Sequence, residues 1–117
     1  MNRAPLRRIS ARRLEETSLY QYRRAQFLLA HPYCQVWLAE HGVDEATAIR
    51  DLGIVRLDGP SNPAMVVPLS TEIHHQNKRR GVDLLEPRFW LAVSRDAHRR
   101  IEENKAWARA QGYLLDF

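Results

Sequence analysis

The stretch from Leu69 to Glu103 constrains the fold most tightly, because it reads in order as strand, long loop, strand and helix. Glu72–His75 reads as a short strand, and a polar, basic loop, Gln76–Asp83, follows it. Trp90–Val93 is an apolar run of strand length, after which Ser94 can cap a helix over Arg95–Glu103. The order is strand, long loop, strand, helix. Four groups able to bind a metal or carry a proton lie on this unit. His74 and His75 end the first strand, His98 comes 23 residues after them, and Glu102 stands one helical turn further on.

Residues four apart share a helix face, so His98 and Glu102 present an imidazole and a carboxylate side by side. Consecutive strand residues point to opposite faces, so His74 and His75 do not readily share one ion. One can be a ligand while the other serves as a base toward a substrate. Two imidazoles and a carboxylate suit magnesium, manganese, nickel or zinc to differing degrees, and the donor set does not choose among them. Basic side chains crowd the same unit: Lys78, Arg79 and Arg80 in the loop, and Arg95, Arg99 and Arg100 on the helix. Metal ligands, a base and cations together suit hydrolysis of a phosphodiester. Any one of these histidines alone is as readily a core or surface residue; their joint order makes the pattern.

A chain of 117 residues is expected to form one domain around a modest core. No run approaches the 18 or so apolar residues of a membrane span. The arginine-rich start lacks the apolar centre of a signal peptide, so a cytoplasmic location is expected. With Cys34 as the single cysteine, no internal disulfide and no thiolate zinc cage can form, and a buried inert thiol is the expected role. The net charge is +4, yet Arg3, Arg7, Arg8, Arg12 and Arg13 all precede the first acid. Such an arm favours a polyanionic partner, most simply DNA, although a solvated tail has the same composition.

The remaining punctuation predicts an α+β chain. Residues 1–11 read as a flexible arm, and a helix runs from Arg12 to Ala30, ended by His31-Pro32. On it, Leu19, Tyr22, Gln26 and Leu29 follow one stripe, while Tyr20 and Phe27 sit seven apart on a neighbouring one. Cys34–Glu40 is a short helix stopped by Gly42, and His41 reads as an exposed helix-end residue. Asp44 is placed to cap Glu45–Leu52, with Gly53 as the stop. Residues 54–57 and 64–67 form a hairpin around the turn formers Asp58–Pro63. Ala106–Gln111 is a last helix closing at Gly112, with Trp107 in the core.

Glu72-Ile-His-His75, Pro87-Arg-Phe-Trp-Leu-Ala-Val-Ser-Arg95 and His98-Arg-Arg-Ile-Glu102 together resemble the HNH endonucleases, whose shared unit is the ββα-metal or His-Me finger. The flanks Tyr22–Cys34 and Ala106–Gly112 look like those of small phage and prophage proteins of this kind, with 34–68 as an insertion before a finger and C-terminal helix over 69–112. The resemblance implies that His75 is the general base and that His74 and His98 are metal ligands. Glu102 stands where the family has a final histidine ligand. It also implies one divalent ion, DNA as substrate with a 5′ phosphate and 3′ hydroxyl as products, and room for a protein partner or homodimer. Many relatives hold the finger with zinc between two Cys-x-x-Cys pairs; here those positions read Cys34-Gln-Val-Trp37 and Ser94-Arg-Asp-Ala97. Trp37, Phe89 and Trp90 are then expected to supply apolar packing instead, Phe89 standing where the family has its middle asparagine. Two other readings stay open: a catalytically degenerate member that binds nucleic acid or protein, for instance in phage packaging or anti-defence, and a structural domain with incidental histidines.

Overall fold

The computed structural model describes residues 11–57, 62–76 and 87–115, and side chains from Ser18 onward. The N-terminal arm up to Ser10, the tip of the first hairpin and Lys78, Arg79 and Arg80 lie outside the described residues. Among those described, five helices and two small antiparallel sheets follow one another: α1 (Ala11–Ala30), α2 (Gln35–His41), α3 (Glu45–Arg50), β1 (Ile54–Arg56), β2 (Ala64–Val66), β3 (Glu72–His75), β4 (Trp90–Val93), α4 (Arg95–Glu103) and α5 (Lys105–Ala110). A 3₁₀ turn over Pro87–Phe89 leads into β4. The architecture is α+β. No described helix is long and apolar enough to cross a membrane.

Helix α1 stops where Pro32 removes the next donor, its last bond running from the His31 N–H to the Phe27 carbonyl at 2.9 Å. Of the two apolar stripes on it, the body takes the one carrying Tyr20 and Phe27. The seven-residue spacing is two helical turns, so both rings meet the Trp90 indole edge-on, with centroids 5.7 and 5.4 Å away. The Leu19, Tyr22, Gln26, Leu29 stripe is turned to solvent, with Tyr22 62% and Leu29 81% exposed.

Gly42 takes the left-handed conformation (φ 64°) that closes α2 onto the Ala39 and Leu38 carbonyls. Helix α3 ends at Arg50, two residues before the expected Leu52, because Leu52 and Gly53 both turn left-handed (φ 55° and 77°) to start β1. At Gly53 a Cβ would lie 2.5 Å from the Tyr33 ring, so glycine is required by space as well as by angle. Asp44 stands at the N-cap position but makes no side-chain cap bond.

Strands β1 and β2 pair with Val55 opposite Met65. Strands β3 and β4 pair with Ile73 opposite Ala92, His74 opposite Leu91 and His75 opposite Trp90. On the outer side of β4, the Ala92 N–H donates to the Gln35 side-chain oxygen at 2.7 Å. Two buried clusters form the core. Cys34, Val36, Val93, Ile101, Ala108 and Tyr113 lie under β4, α4 and α5, and Leu38, Ala48, Val55 and Val67 lie under the first hairpin. Trp37 packs against both.

Candidate metal centre

Alternation along β3 puts Glu72 and His74 on one face and Ile73 and His75 on the other. Helix α4 crosses the first of these faces. It begins where the Ser94 hydroxyl accepts the Ala97 N–H at 3.2 Å, as its sequence predicts. Ile101, fully buried, fixes its rotation. His98 and Glu102 then project toward β3. His74, His98 and Glu102 each offer one ligand atom within 4.8 Å of the others.

Hydrogen bonds at the far side of each ring decide which atoms face inward. His74 Nε2 lies 2.7 Å from the Tyr113 carbonyl oxygen, which can only accept. The ring therefore carries its proton on Nε2 and keeps its lone pair on Nδ1. The Glu72 carboxylate accepts from His98 Nδ1 at 3.0 Å, so a neutral ring carries its lone pair on Nε2, which lies 3.6 Å from a Glu102 oxygen. Ligating histidines are characteristically held in this way, by a carbonyl or carboxylate on the nitrogen that does not bind the ion. Two imidazoles and one carboxylate with their ligand atoms this close make a three-donor set of the kind that could hold a divalent cation.

His74 is 3% exposed, and burial holds its pKa below the ordinary histidine value of 6.5. The bond to the Tyr113 carbonyl opposes that shift, and the nearby His98 and Glu102 act in opposite directions on it. The buried ring is thus neutral, as a ligand must be. Its folded pKa is depressed, so the unfolded chain takes up a proton first as the pH falls. The stabilising contribution is complete above about pH 6.5 and is lost as the pH falls through that value toward the folded pKa. Thermal melts in chelator at pH 7.5 and 5.5 should show this loss, and His74→Gln should flatten the slope; an unchanged slope in that variant would place the titration elsewhere.

His75 occupies the opposite face, half-buried. Its ring lies alongside Tyr20 (centroids 5.9 Å, 25°) and edge-on to Trp90 (5.8 Å, 71°), with Nε2 3.4 Å from the Tyr20 hydroxyl. It sits at the end of β3, next in sequence to His74 but turned away from it.

Arg95 and Arg99 are exposed on α4. Arg100 is engaged within the fold: it donates to both Glu40 oxygens at 2.7 and 2.9 Å and lies 4.0 Å over the Trp107 ring. Arg95 and Arg99 are thus the α4 arginines outside this network. Trp90 is 3% exposed, and Phe89 is half-buried under the Arg88 guanidinium. Trp37 stacks on His41 with centroids 3.8 Å apart, and His41 Nδ1 bonds the Trp37 carbonyl at 2.9 Å. That stacking makes His41 half-buried rather than exposed as its position beside Gly42 suggests. Cys34 is buried, and His31 ties α1 to α3 by a 2.8 Å contact with Glu45. The pair Cys34 and Trp37 and the pair Ser94 and Ala97, far apart along the chain, line one cleft of about 330 Å³.

Three participants were not among the residues singled out from the sequence. Glu72 was findable, since period-two alternation puts it on the face of His74. Tyr20 carried only an apolar-stripe signal. The Tyr113 carbonyl carried none, because a backbone acceptor has no side-chain signature. Compared with protein-family models, with curated proteins and with solved structures, the chain has no match in any of the three.

Proposed function

We propose that the chain is a metal-dependent DNA endonuclease or nickase of the HNH type, with β3, β4 and α4 as its ββα-metal finger. The observation that carries this reading is the meeting of His74, His98 and Glu102 with the far nitrogens of both rings already bonded. A second observation supports the family resemblance independently of those ligands. The four positions where relatives carry zinc thiolates, Cys34, Trp37, Ser94 and Ala97, surround a single cleft. Ser94 uses its hydroxyl to cap α4, and Trp37 packs against both parts of the core. Packing and capping thus stand in for a zinc cage that one cysteine cannot build.

In this reading His74, His98 and Glu102 would hold the cation, while Glu72 and the Tyr113 carbonyl fix the two rings. The ion, when bound, supplies positive charge to the scissile phosphate and the departing 3′ oxygen. His75 would take a proton from the water that attacks phosphorus, the P–O3′ bond would break with its electron pair on O3′, and that oxygen would take a proton from solvent, giving a 5′ phosphate and a 3′ hydroxyl. Arg95 and Arg99 meet flanking phosphates, so binding weakens steeply with salt.

The test is supercoiled plasmid incubated with the full chain in magnesium, manganese, nickel or zinc. Nicking is expected in at least one of them, abolished by chelator and by His98→Ala. Tight DNA binding without cleavage in every metal would instead make the chain a non-enzymatic nucleic-acid binder. Absence of both would leave the histidines without a role in nucleic-acid chemistry.

A further inference from the structure

We infer that the stretch of chain after α5, residues 112–115, is a positioning element of the metal centre, and that Gln76 is the residue that locks it there. Docking of this stretch and binding of a cation at His74 then strengthen each other. The inference rests on the metal-site part of the reading above and adds to it a segment outside the ββα unit.

The β3–β4 ladder continues one residue past β3, where the Gln76 N–H donates to the Phe89 carbonyl at 2.7 Å. Gln76 is therefore held in extended backbone, and its side chain leaves on the same face as that of His74, two residues earlier. The two side chains grip one segment. The His74 Nε2–H donates to the Tyr113 carbonyl at 2.7 Å, and the Gln76 Nε2–H donates to the Gly112 carbonyl at 3.0 Å. Both acceptors are backbone carbonyls, so chemistry alone fixes the direction of each bond. The Leu115 N–H donates back to the Gln76 carbonyl at 2.7 Å.

The segment reaches this position because α5 ends sharply. Gly112 turns left-handed (φ 82°), and the Tyr113 N–H returns to the Ala108 carbonyl at 2.8 Å. The Tyr113 ring is buried edge-on to Trp107, with centroids 5.6 Å apart. A backbone carbonyl orients a histidine only while its own stretch of chain stays in place. Release of residues 112–115 would strip buried His74 of the acceptor for its Nε2–H, leaving the ring to turn or exchange tautomers. A cation that binds the docked form more tightly favours docking by the same factor. Gln76 is not a ligand; it acts through the segment it holds.

The test uses zinc alone with the full chain, without DNA, above the ordinary histidine pKa. Gln76→Met keeps the length of the side chain and removes its amide. Isothermal titration should show zinc bound about tenfold more weakly than by the wild type, the lower end of what loss of an outer partner costs. Amide exchange adds a readout that mere packing would not move. In the wild type, saturating zinc should slow exchange of the Leu115 N–H about tenfold, the reciprocal of that loss of affinity. Unaltered zinc affinity in Gln76→Met, or Leu115 exchange indifferent to zinc, overturns the inference and leaves the metal centre standing. No zinc binding by the wild type overturns both. If Gln76→Met fails to fold, the exchange measurement on the wild type decides alone.

Discussion

Replacing His75 with alanine is expected to lower plasmid nicking by about 10²- to 10⁴-fold, the usual contribution of a positioned proton acceptor, while the affinity for manganese stays as in the wild type. The separation of effects follows from the strand. His74 and His75 are neighbours in sequence, but β3 turns one toward α4 and the other toward α1. Removing the second leaves the Tyr113–His74 and Glu72–His98 bonds in place. His98→Ala should behave differently and lose metal binding and nicking together. Isothermal titration with manganese beside a nicking time course distinguishes the two. If His75→Ala weakened metal binding as severely as His98→Ala, His75 would be a ligand and the assignment of roles along β3 would fall.

Trp90→Ala is expected to cost about 3–5 kcal/mol, the range for deleting a large buried aromatic side chain. That amounts to a drop of roughly 10–25 °C in Tm for a chain of this size. The indole is 3% exposed and receives the edges of Tyr20 and Phe27 from α1 and of His75 from β3. Its Nε1–H has no hydrogen-bond partner among the described residues. Trp90→Phe, which keeps an aromatic ring and removes that buried donor, should therefore lose much less than the alanine variant. Urea melts in chelator measure both. A loss under about 1 kcal/mol for Trp90→Ala would mean that α1 gains little from docking on it.

The sequence was most legible where punctuation is chemical. Pro32, Gly42, Gly53, Ser94 and Gly112 mark element ends because each imposes or forbids a backbone state, and the elements end at or near them. The register of His98 and Glu102 was legible for a similar reason, since four residues on a helix return to the same face. Choices set by distant partners were not. Which stripe of α1 packs depends on Trp90, more than 60 residues away, and local periodicity offers both. Arg100 looks like any surface arginine until Glu40 and Trp107 are brought to it by the fold. His41 changes from surface to half-buried through one stacking contact with Trp37.

Gln35 carries a consequence for how this chain can meet other proteins. A two-stranded ribbon normally leaves its rim open, and an extended peptide can extend it by borrowing unpaired amides. On β4 the Ala92 amide is already taken by a side-chain carbonyl that imitates a third strand. The same Gln35 amide group reaches His31 and Glu45, which resists its withdrawal. Backbone-templated association along that rim would first have to displace it, so the β4 edge is guarded at Ala92 against the edge-to-edge pairing that drives small β proteins out of solution.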